Sequence, residues 1–133
     1  MTVLIETEQR VPLYNGKRCT YSETFALEDD GFQYQIIEGV MLVTPAPNYG
    51  HQSLVGRLHI LLGNYLDIHP IGIVTIAPRD VKLSEKTTYQ PDIVYISRER
   101  LSINKSQYVD GAPDCIIEII SPGSRSMDTD TKF

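Results

Sequence analysis

Near the end of the chain a single carboxylate sits inside a run of isoleucines: Asp114-Cys115-Ile116-Ile117-Glu118-Ile119-Ile120. Apolar residues on both sides of Glu118 predict a strand covered on both faces, which requires a sheet with layers packed against it. An ionised carboxylate there costs several kcal/mol unless a cation or strong donors compensate it. A second segment has the same character. Pro91-Asp92-Ile93-Val94-Tyr95-Ile96 opens with an acid and continues as an apolar strand.

Alternate residues of a strand share a face. Asp92 therefore points with Val94 and Ile96, and Glu118 with Ile116 and Ile120. If the two strands are neighbours, both carboxylates lie on one face, and such a pair must share a proton or bind a cation. Oxygen ligands of this kind suit Mg²⁺ or Mn²⁺, which retain several waters and need only one or two protein carboxylates. The alternative is purely structural: Asp92 caps a turn after Pro91, and Glu118 pairs with a buried arginine.

The rest of the chain supplies one sheet and its helices. Residues 1–20 lack a clear period and read as a leader that packs loosely or not at all; 21–133 form the domain. Residues 22–27 suggest a short helix, and residues 33–37 and 41–44 two strands. Glu38-Gly39 between those strands supplies the φ-permissive residue of a tight hairpin. From about Gly50 to Ile68, Leu54, Val55, Leu58, Leu61, Leu62, Tyr65 and Leu66 recur at helical spacing along one face. Asn48 is the expected N-cap of that helix and Pro70 its stop. Strands follow at 72–76 and 79–83, then a polar turn at 84–88. The polar stretch from Ser97 to Pro113 has room for a short helix. Strands around one long helix predict an α/β or α+β domain.

At 133 residues there is one core and no room for two. The 41% hydrophobic and 22% charged content excludes a disordered chain. A net charge of −5 argues against a protein that coats nucleic acid, though less against an enzyme that touches its substrate briefly. Cys19 and Cys115 lack metal-like spacing and read as free thiols. With no spanning-length apolar stretch and no signal-peptide block, the expectation is a cytoplasmic protein without membrane attachment.

The ordered set Gln90-Pro91-Asp92, Glu118-Ile119-Ile120-Ser121-Pro122, Arg125, Asp128 and Lys132 resembles the Uma2 (Uma-two) family of putative restriction endonucleases, within the PD-(D/E)XK nuclease superfamily. Tyr34-Gln35-Ile36-Ile37-Glu38-Gly39, Thr44-Pro45-Ala46-Pro47, His51-Gln52, Ser97-Arg98-Glu99-Arg100-Leu101 and Gly111-Ala112-Pro113-Asp114 carry the resemblance from about Tyr21 onward.

It implies a restriction-endonuclease-like core: a mixed central sheet flanked by helices and preceded by an N-terminal hairpin. The implied activity is Mg²⁺- or Mn²⁺-dependent hydrolysis of DNA, with Asp92 and Glu118 as catalytic metal ligands. The superfamily's lysine usually stands two residues after the second carboxylate, where this chain has Ile120. Lys132, on the following helix, takes that place by resemblance and acts on the attacking water or the phosphate charge.

Glu38, His51 and Asp80 are possible accessory residues; Arg57, Arg98 and Arg100 are candidate phosphate contacts, and Asp128 is expected to cap or pair locally. The chain departs from the family in having Gln35 and Val40 where members often carry glutamate. It also lacks the family's closing strand, which reads as a truncated member. An edge left unpaired there predicts a homodimer or higher oligomer meeting near residues 114–133. The competing reading is an inactive nuclease-fold module that serves protein–protein interaction or oligomerisation.

Overall fold

The structure is a computed structural model that describes residues 1–4 and 10–120. Helix α1 spans Tyr21–Thr24, followed by the hairpin strands β1 (Tyr34–Ile37) and β2 (Val40–Val43). Glu38 and Gly39 both take positive φ, at 51° and 81°, the pair of left-handed residues that a two-residue hairpin turn requires. The long helix α2 runs over Tyr49–Ile68 and leads into β3 (Gly72–Ile76), β4 (Asp80–Ser84), β5 (Thr87–Tyr89) and β6 (Ile93–Ser97). A 3₁₀ helix at Arg98–Ile103 precedes β7 (Tyr108–Asp110) and β8 (Cys115–Ile117).

The strands form two sheets, in the orders β2-β1-β5-β4-β7 and β3-β6-β8. All described pairings are antiparallel except β4 with β7. Val81 and Val109 from the first sheet pack with Val94 and Ile96 from the second, all buried, and Ile73, Ile103 and Ile116 close around them. That cluster joins the sheets. A second cluster gathers Tyr21, Ile36 and Met41 under α1. Gly72 begins β3 where a Cβ would come 2.4 Å from the Ile96 carbonyl oxygen, so glycine is needed for β3 to approach β6.

Several expectations changed on folding. Residues 84–88, read as a polar turn, contain only a two-residue turn before β5. Thr88 is buried there, and its Oγ1 accepts from the Ile36 N–H at 3.2 Å. The stretch before Pro113 holds β7 as well as the short helix. The supposed leader is fastened in its second half: Gly16 N donates to Met41 O, Met41 N to Lys17 O, and Cys19 N to Gly39 O.

Helix α2 starts at its expected cap, with Asn48 Oδ1 accepting from His51 N at 2.8 Å. It packs against β3 yet buries no residue fully, and Leu54, Leu61, Tyr65 and Ile68 stay exposed. Among the described residues no helix is long and apolar enough to cross a membrane.

Candidate active site

Strands β6 and β8 are neighbours, paired Ile93 with Ile117, Val94 with Ile116 and Tyr95 with Cys115. Extended one step, the same register would bring Asp92 opposite Glu118, which lies just past the last residue of β8. The ladder ends there because Ile119 N–H turns to the Asp92 side chain and donates to Oδ2 at 2.7 Å. The Asp92 backbone is held from the other side, where Ala77 N–H donates to its carbonyl at 3.0 Å. Asp92 therefore sits between β3 and β8 at the end of the central strand.

Helix α2 brings a third group. His51 Nε2 stands 3.2 Å from Asp92 Oδ2, and both side chains are mostly buried, at 17% and 15% exposure. The other ring nitrogen, Nδ1, is buried and has no hydrogen-bond partner among the described residues. A buried polar atom left without a partner costs about 1–3 kcal/mol.

Glu118 is half-buried, its Oε1 fully so. It borders a largely apolar cavity of about 280 Å³ lined also by Val81, Leu83, Tyr89, Pro91 and Ile116.

The other sequence candidates are scattered. Glu38 lies in the β1–β2 turn, whose Gly39 N–H donates to Lys86 O, at the far end of the β1–β5 pairing from the Gln90-Pro91-Asp92 segment. Asp80 heads β4 but faces α1: Tyr21 O–H donates to its Oδ2 and Gln90 Nε2 to its Oδ1, each at 2.8 Å. Arg100 is engaged, with Nη1 3.3 Å from Asp114 Oδ2 and Nη2 donating to Ala112 O at 2.6 Å. Arg57 and Arg98 lie on the exposed surface. Lys132, Arg125 and Asp128 lie outside the described residues.

Two supports had no visible signal in the sequence. The Ile119 N–H is a main-chain donor. Gln35, buried on β1, accepts from Gln90 N at 2.9 Å, anchoring the segment that delivers Asp92. Gln35 thus serves as a neutral acceptor under the segment that delivers Asp92.

Burial and then the bond to Asp80 push the Tyr21 hydroxyl well above its ordinary value. A phenol raised on folding contributes stability that is whole below the unfolded value of about 10 and drains away as pH climbs beyond it. Tyr21→Phe is expected to cost about 1 kcal/mol at neutral pH and to flatten the alkaline decline. Urea midpoints across that pH range check this; an unchanged alkaline slope in the variant would assign the decline to another group.

Asp92 and Glu118 fit a hard divalent cation. Mg²⁺ and Mn²⁺ take oxygen ligands and use only one or two carboxylates, and the register would bring two to one strand end. Among the described residues no three His, Cys, Asp or Glu side chains converge as a metal cage, so Glu118 does not complete a three-residue cluster with His51 and Asp92.

Comparison with known proteins shows the fold and the family. A solved structure, a putative nuclease belonging to DUF820 from Anabaena variabilis, superimposes with a TM-score of 0.67 at 19% identity, over 84% of this chain. The chain spans 63% of that protein's length. At this identity the likeness shows a shared fold. No curated protein matches. The family model for Uma2, putative restriction endonuclease, matches residues 21–133. The chain belongs to the Uma2 family.

Proposed function

We propose that this chain is the catalytic domain of a divalent-metal-dependent nuclease that hydrolyses DNA phosphodiester bonds. The observation that supports the reading is the register of β6 and β8, in which Ile93 pairs with Ile117, so that one step further Asp92 would stand across from Glu118 at the end of an otherwise apolar strand pair. Asp92 and Glu118 hold the cation, Mg²⁺ or Mn²⁺. When bound, such a cation neutralises phosphate charge and makes water a stronger nucleophile at neutral pH.

The chain's own groups do the rest. Asp92 keeps its orientation through Ile119 N–H and His51. The apolar wall beside Glu118 keeps water from diluting the field at the scissile phosphate. Lys132 supplies an ammonium to the attacking water or the developing phosphate charge. The family supports DNA as the substrate. The free cysteines Cys19 and Cys115 agree with a reducing, cytoplasmic setting. Cleavage of a linear duplex in Mg²⁺, lost on chelation and restored by Mn²⁺, is the expected behaviour; a duplex left intact in both metals contradicts it.

Self-association belongs to the same reading. Among the described residues β8 pairs only with β6, and α2 exposes an apolar stripe of Leu54, Leu61, Tyr65 and Ile68. Unpaired edges and exposed apolar surface recruit a second chain. Light scattering over a concentration series is expected to give a mass rising above the 15.0 kDa monomer. A constant monomer mass would remove this part.

A further inference from the structure

We propose that His51 is a positioning residue for Asp92: it selects which carboxylate oxygen faces the cation and does not itself touch substrate. The inference rests on the metal-site reading above. Two groups from different elements converge on one oxygen: Ile119 N–H, just past β8, donates to Asp92 Oδ2 at 2.7 Å, and His51 Nε2, from the first turn of α2, stands in ion-pair contact with it at 3.2 Å. One contact alone leaves the carboxylate free to swivel. Two contacts on Oδ2 restrict that rotation and leave Oδ1 without a protein donor among the described residues, the oxygen suited to a cation.

The ring is itself held. Its backbone N–H donates to the Asn48 cap at 2.8 Å, which sets where the imidazole leaves the helix. Neither ring nitrogen is open to substrate, since Nε2 faces Asp92 and Nδ1 is buried. That arrangement speaks against a general base and for an orienting donor, the part that outer groups play around metal ligands.

The buried, unpartnered Nδ1 separates positioning from stability. A side chain kept for packing alone would be apolar here, because it leaves no nitrogen unsatisfied. Fold and site thus favour different residues at position 51.

The test compares wild type, His51→Leu, His51→Gln and Asp92→Ala as purified full chains. Without metal, amide exchange at Ile119 reports its bond to Asp92; with Mn²⁺, calorimetry reports affinity. His51→Leu is expected to leave Tm unchanged or raise it, while Ile119 exchanges on the order of tenfold faster. Its Mn²⁺ affinity is expected to fall about 10–100-fold, the usual cost of removing such an outer partner. His51→Gln, whose amide N–H replaces the Nε2 donor, is expected to recover most of both losses.

Unchanged exchange and affinity in His51→Leu would overturn the proposal. Equal losses in the leucine and glutamine variants would also overturn it, by making the imidazole itself a ligand. So would a lower Tm that accounts for the affinity loss. If Asp92→Ala binds Mn²⁺ like wild type, the metal-site reading fails, while Ile119 exchange still decides whether His51 orients Asp92.

Discussion

Asp92→Asn is expected to lower DNA cleavage about a thousandfold, from a few kcal/mol of lost transition-state stabilisation at roughly 1.36 kcal/mol per tenfold. The substitution keeps the shape of the side chain and an oxygen that accepts from Ile119 N–H and from His51, so the end of β8 stays in place. What it removes is the negative charge that holds a cation. Loss of kcat/KM with little change in Tm therefore separates chemistry from folding. Single-turnover cleavage of a labelled duplex in excess Mg²⁺ measures it. Activity within a few-fold of wild type would take Asp92 out of the site.

Ile96→Ala is expected to be the most damaging simple truncation for stability, at about 2–5 kcal/mol. Ile96 is 1% exposed and packs among Val81, Val94 and Val109, the cluster by which the two sheets meet. Its loss removes buried methyl groups and opens a hole that the crossing strands cannot close without shifting. Leu61→Ala is the control, since Leu61 is 66% exposed on α2 and is expected to change stability by under about 0.5 kcal/mol. Urea unfolding of both variants checks the pair. Equal losses would mean that the α2 stripe is covered in solution, by another chain or another segment.

That contrast marks where the sequence was readable. Local signals were strong: Glu38-Gly39 fixed a turn, Asn48 and Pro70 bounded α2, and the β-branched runs at 72–76 and 93–96 became β3 and β6. The isoleucine run around Glu118 marked a strand, but β8 stops at Ile117, none of its residues is fully buried, and Ile120 is half exposed, so it is not covered on both faces as expected; it does pair with β6.

Non-local pairing was not readable. Thr87–Tyr89 is polar in composition, and only its partners β1 and β4 make it a strand. Residues 14–19 show no period because main-chain bonds to the β2 hairpin hold them. Periodicity placed the apolar residues of α2 along a face, but it contains no term for how wide a partner covers that face. Asp80 read as an accessory acid on the strand before the Pro-Asp strand; its carboxylate accepts from Gln90 Nε2 beside that strand and also closes a contact with Tyr21, 59 positions away in sequence.

The carboxylates divide in the same way. Asp92 and Glu118 stood out because charge in an apolar run demands compensation. The groups that orient Asp92 had weaker marks. His51 stood out as a possible accessory residue without a partner to orient, and the main-chain N–H at Ile119 gains meaning only when three elements meet.

Mn²⁺ titration by calorimetry tests the central claim most directly, on metal-free wild type, Asp92→Ala and Glu118→Ala. Two carboxylates at one strand end repel each other and gain from a shared cation. Wild type is expected to bind Mn²⁺ at a site that either substitution weakens by at least about tenfold, one step of roughly 1.36 kcal/mol. Equal Mn²⁺ affinity in all three proteins would contradict a metal site at Asp92 and Glu118.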